Sequence, residues 1–206
     1  MADPLAILQR VRSSVSERPE PGERCDLCGE AIGHEHDHLV DLKDRQILCA
    51  CHGCHLLFTA DGAGGGHFLA IPDSYRSIPG GLDASEWDTL QIPVGVAFFF
   101  VNSSLARVAA FYPGPAGATE SLLSLDTWND LVGDHPLLGD VRPDVEALLV
   151  RLRADGSGGA DGFIVPIDAC YELAGTLRLL WRGFDGGTDA RRAIDEFFDG
   201  VRERSR

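Results

Sequence analysis

Two C-x2-C pairs, Cys25-Asp-Leu-Cys28 and Cys51-His-Gly-Cys54, stand 22 residues apart and constrain the chain more than any other feature. A C-x2-C turn folds into a knuckle whose two thiolates face one point while backbone amides hydrogen-bond the sulfurs. Gly29, directly after Cys28, supplies the positive φ such a turn needs. Two knuckles give four tetrahedral ligands. Between them Leu39, Val40 and Leu42 face Gln46, Ile47 and Leu48 across DLKDRQ, the pattern of a β-hairpin. This is the sequence plan of a zinc ribbon or treble clef, with Cys25, Cys28, Cys51 and Cys54 as the metal ligands. Zinc is the expected ion, because four thiolates in a tetrahedron suit it and leave no open position for catalysis. Iron in the same setting would make a rubredoxin-like electron carrier.

The segment 23–60 holds five of the six cysteines and five of the seven histidines. Cys49 is one thiol more than a mononuclear site needs; it is either an additional ligand or a buried residue preceding the knuckle. CACHG resembles the second half of a Rieske motif, but no C-x-H half precedes it. His34, His36 and His38 alternate in GHEHDH, so on a strand they would share a face and could bind nickel or zinc. A solvated hairpin edge is the reading favoured from sequence.

The remainder predicts an α+β chain in three parts. Residues 1–22 read as an amphipathic helix over 4–16 and the linker ERPEPGER; 23–60 is the metal module; DGAGGG marks a boundary; 67–206 forms an α+β domain of antiparallel sheet and helices. Leu90–Val101 and Arg107–Tyr112 read as a hairpin. Helical periodicity is expected from about 119 to 132 and again from Pro143 to Leu152. PGPAGATES reads as a βα loop, FIVPI as a strand, Asp168 as the cap of a helix through Trp181, and Thr188 to about Arg204 as the last helix. Cys170 falls among apolar neighbours and reads as core. Ser, His and Asp occur in no hydrolase motif, and no catalytic constellation is evident.

The charge narrows the function. With 32 acidic against 18 basic residues the chain carries −14, and the metal module is itself acidic, with seven acids against three bases. Zinc ribbons that bind nucleic acid do so through basic hairpins, so a nucleic-acid partner is not expected. The start lacks the basic and continuous apolar regions of a signal peptide, and the longest apolar run, Val94–Val101, is far short of the about 20 residues that span a bilayer. A cytoplasmic protein without membrane insertion is the expectation, and in a reducing cytosol cysteines serve as metal ligands or buried thiols rather than disulfides.

The combination of CDLCGEAI, CHGCHLLF, LQIPVGVAFFF, AFYPGPAGATES and CYELAG…WRGFDGG resembles an uncharacterised actinobacterial family associated with [NiFe]-hydrogenase gene clusters, from about Cys25 to Phe198. The resemblance assigns no chemistry beyond the four knuckle cysteines. Closed four-cysteine ligation without a catalytic cluster favours a metal-binding accessory protein over an enzyme, docking on a partner that the resemblance would make a hydrogenase subunit or maturation factor. The alternative is an iron-thiolate carrier serving a hydrogenase.

Overall fold

The computed structural model describes residues 23–60, 62–114, 117–123, 125–183 and 186–205. The helix and linker expected within 1–22 lie outside the described residues. The cysteine-rich module contains β1 (Asp37–Asp41), β2 (Gln46–Ala50) and the five-residue helix α1 (His52–Leu56). β1 and β2 pair antiparallel from Asp37↔Ala50 to Asp41↔Gln46. The turn between them is fixed locally. The Asp41 carboxylate accepts from the amides of Lys43 at 2.9 Å and Asp44 at 3.1 Å, and Arg45 takes a left-handed φ of 53°. After the glycine tract the chain returns as β3 (Phe68–Ala70), which pairs with the free edge of β1. The three-stranded sheet has the order β2-β1-β3.

Strand β1 is buried on both faces, and this joins the two parts of the molecule. Leu39 packs with Ala50, Ala70 and Phe58 in a small core under α1, whereas Val40 points the other way into the principal core beside Ile71. That core belongs to a six-stranded antiparallel sheet of β4 (Arg76–Ser77), β5 (Val96–Asn102), β6 (Arg107–Gly114), β7 (Gly117–Leu123), β8 (Glu146–Leu152) and β9 (Ala160–Pro166), in the order β4-β9-β8-β5-β6-β7. The hairpin expected of Leu90–Val101 and Arg107–Tyr112 is present as β5 and β6, but its first strand begins only at Val96, and Leu90 is the last residue of a helix; FIVPI lies within β9.

Helices cover both faces of this sheet. On one side α4 (Ile167–Leu180) and α5 (Gly187–Arg204) bury Cys170, Leu173, Leu177 and Phe198 against Phe98, Leu149 and Val165. On the other, α2 (Ala84–Leu90) and α3 (Leu125–Asp134) bring Trp87, Leu90, Trp128 and Leu131 onto Phe99, Leu148 and Ile164. Of the three buried carboxylates among the described residues, Asp41, Asp144 and Glu146, the last is the most deeply buried. Glu146 receives Arg76 through both oxygens at 3.2 and 3.1 Å, the Ser74 hydroxyl at 3.1 Å and the Arg142 amide at 2.9 Å. A charge so fully paired can stay in the core.

The structure departs from the sequence expectations at four further points. The stretch from Pro143 to Leu152 is not a helix: Glu146–Leu152 form strand β8, whose Ala147–Val150 are covered on both faces, apolar at consecutive positions and so without polar alternation. Residues 117–123 form β7 and pair with β6, so PGPAGATES spans a β-hairpin rather than a βα loop, and the helix begins only at Leu125. The N-cap of α4 is Pro166; Asp168 lies inside the first turn, where its Oδ1 accepts from the Ala169 amide at 2.8 Å and its Oδ2 meets His38.

Candidate metal centre

The first knuckle is closed by its own backbone. Arg24 and Ala31 form a bridge, the Cys25 amide donates to Glu30 O at 2.8 Å, and the Gly29 amide donates to Cys25 O at 2.8 Å. Gly29 has φ 77°, the conformation expected of the residue after the second cysteine. Asp26 then stitches the knuckle to the end of β2: its amide donates to Cys49 O at 2.9 Å and its carboxylate accepts from the Cys49 amide at 2.7 Å. The second pair sits where β2 becomes α1. Cys51 is the N-cap, with extended φ −72° and ψ 157°, and its Sγ accepts from the Cys54 amide at 3.5 Å.

Cys25, Cys28, Cys51 and Cys54 thereby present four sulfurs that all lie within 4.8 Å of one another. Cys28 Sγ and Cys51 Sγ are 3.7 Å apart. Bonds of about 2.3 Å from a central ion give a tetrahedral edge of about 3.8 Å, so the spacing fits a four-thiolate ion. Cys25 is buried and Cys28 exposed, which puts the cluster at the surface of the module.

The thiols are electrostatically uneven. Burial raises the Cys25 pKa, but the backbone amides of Cys51, Cys28 and Leu27 outweigh it and bring the value down to about 6. Cys54 is pushed up to about 12 by its hydrogen bond to the Cys28 thiol, by desolvation, and by Cys51 and Cys25. Cys51 is also raised: the Cys54 amide lowers it, but desolvation and the Cys28 thiol prevail. Four adjacent thiolates repel, and a cation removes that penalty by displacing the remaining protons.

Of the additional candidates, the structure brings His36, His38 and Cys49 together, with one ligand atom from each within 4.8 Å of the others. His34 is exposed and joins no such group among the described residues. Cys49 is half-buried and its thiol is raised by desolvation and by Asp26, Glu23 and Cys25. His38 is raised above the ordinary histidine range, because its hydrogen bond to Asp168 outweighs burial. Asp168 has no sequence signal for this role; it is 130 residues from His38 and on α4. A third group joins Asp37 with His52 and His55. There His52 Nδ1 lies 3.0 Å from Asp37, while His55 Nε2 donates to Ile71 O at 2.9 Å. Cys170 is fully buried, as expected of a core thiol, and burial raises its pKa well above the usual range.

Fold and site together define an α+β protein with an N-terminal cysteine cluster able to hold a metal ion. Residues 24–205 match a family of unknown function, DUF5947, and the chain belongs to that family. No curated protein and no solved structure matches it. Among the described residues no helix is long and apolar enough to cross a membrane.

Proposed function

We propose that Cys25, Cys28, Cys51 and Cys54 hold a structural zinc ion, and that the protein is a metal-binding accessory factor whose zinc module docks on a protein partner. The observation that carries this reading is the convergence of four thiols from two knuckles, which fills a tetrahedron with protein ligands and leaves no position for a substrate. A knuckle, a hairpin and a helix whose N-cap and first turn supply the second pair support a treble-clef type of module rather than a ribbon of two hairpin knuckles. The module's net negative charge favours a protein over a nucleic acid as the partner. A [NiFe]-hydrogenase subunit or maturation factor is the partner suggested by the sequence resemblance alone.

Elemental analysis and a visible spectrum of anaerobically purified protein test the metal assignment. Zinc in a colourless protein is the expected result; iron with thiolate charge-transfer bands would replace this reading with the electron-carrier alternative. Cys28→Ser should remove the zinc of this cluster and lower the thermal midpoint. An unchanged metal content in that variant would count against the four-cysteine site. A pull-down from native cells recovering only the protein itself would count against the docking role.

A further inference from the structure

Two imidazoles and a thiol outside the four-cysteine cluster converge on one point. His38 on β1 stands directly opposite Cys49 on β2. His36 precedes His38 by two residues, and the two rings are 4.7 Å apart, centroid to centroid. Strand pairing thus brings the thiol beside rings that the i, i+2 spacing had placed on one side.

Outer partners set the tautomer of each ring. His36 Nδ1 lies 2.9 Å from Gly33 O, with Glu23 Oε2 at 3.4 Å. His38 Nδ1 lies 2.8 Å from Asp168 Oδ2. A carbonyl and a carboxylate only accept, so each Nδ1 carries the proton and each neutral ring keeps its Nε2 lone pair free. The His36 side chain is 8% exposed, and its Nε2 is buried with no hydrogen-bond partner. Buried acceptors are rarely left unpaired, and a cation bound beside the Cys49 sulfur would satisfy this one. The His38 arrangement, with a carboxylate on the far nitrogen, is the support that ligating histidines ordinarily have.

We propose that His36, His38 and Cys49 form a second metal site, binding a divalent late transition-metal ion of the zinc class through two imidazole Nε2 atoms and one thiolate. Three protein ligands leave a fourth position for water or an exogenous ligand, the feature that separates reactive from structural zinc sites. Asp168 is a positioning residue, fixing the His38 ring from helix α4. His34 takes no part. The site does not depend on the four-cysteine reading, because the two share no ligand.

The test is metal stoichiometry of the full chain, stripped of metal under reducing conditions, reloaded with zinc and freed of excess ion. Two equivalents per chain are expected, falling to one in Cys49→Ser and in His36→Gln. With cobalt as the probe, those variants should retain the all-thiolate spectrum of the other cluster. Asp168→Asn should weaken the second equivalent by about 10–100-fold and leave the first unchanged. Zinc-edge X-ray absorption of the wild-type chain needs no variant and should show imidazole scattering beside sulfur. An all-sulfur spectrum, or two equivalents undiminished in both ligand variants, would overturn the proposal. A single wild-type equivalent lost in Cys49→Ser but kept in Cys28→Ser would uphold this site and reject the four-cysteine one; the reverse pattern would reject this site.

Discussion

Gly29 shows how far a single residue can be read from the sequence. Its place directly after Cys28 predicts a positive φ, and the structure has 77° there with no atom within 4 Å of where a Cβ would stand. An added methyl would therefore meet nothing, and the cost of Gly29→Ala is backbone strain alone, about 1–2 kcal/mol. Urea denaturation of the metal-loaded protein should show that loss; an unchanged midpoint would mean that the knuckle tolerates another turn. The four knuckle cysteines were equally legible, because the spacing of a short turn is a local property. His36, His38 and Cys49 were legible only as candidates. Whether alternating histidines make a solvated edge or a site depends on which strand faces them, and here that strand brings Cys49. Asp168 was misread as a helix cap, since nothing local indicates that its carboxylate reaches His38.

At the scale of the element, the misreading of β8 has a physical cause that also makes a prediction. Ala147 and Leu149 face α4 and α5, while Leu148 and Val150 face the opposite layer, so no polar alternation survives to betray a strand. Leu149→Ala should cost about 2–5 kcal/mol, as expected for a fully buried leucine, while Leu152→Ala, at a half-exposed strand end, should cost far less. Similar losses at both positions in denaturant titration would contradict the register. Strand β9 carries a second, pH-dependent tie. Burial raises the Asp161 pKa, but Arg153 at 2.9 Å and Arg202 of α5 at 3.1 Å outweigh it and hold the carboxyl below its usual range. A depressed folded value means stabilisation that is present above the unfolded pKa near about 3.9 and is lost as pH falls through the folded one. Asp161→Asn should therefore lower the thermal midpoint at neutral pH, with the gap to wild type closing below about pH 4. A gap that stayed constant across that range would show that the carboxylate charge is not the cause.

Across the whole molecule, the cysteine module has a small core of its own on one face of its sheet and shares the principal core with the six-stranded sheet on the other. The glycine tract suggested a boundary near 61–66, yet β3 lies beyond it and completes the module's sheet, a pairing that no local pattern announces. The tie runs along one face of the module's sheet: Val40 and Ile71 enter the principal core, Leu42, Ile47 and Leu69 pack against it, the Ile71 amide donates to His38 O at 3.1 Å, and His38 meets Asp168. Against this, the module's own apolar core consists of Leu39, Ala50 and Ala70 with a few half-buried neighbours. So small a core does not sustain a fold by itself, and bound metal is the usual supplement. The six-stranded sheet, covered on both faces, has no such need. Chelation under reducing conditions should therefore unfold the molecule in part. Amides of 38–50 and 69–71 should lose hydrogen-exchange protection by a large factor, whereas those of 147–151 and 161–165 keep most of theirs. Amides early in α4, around Asp168, should change by an intermediate amount, because that helix loses its contact with His38 but keeps Cys170 and Leu173 in the principal core. Loss of protection across both sheets would instead make the molecule one cooperative unit, and unchanged protection everywhere would mean that the module stands without its metal.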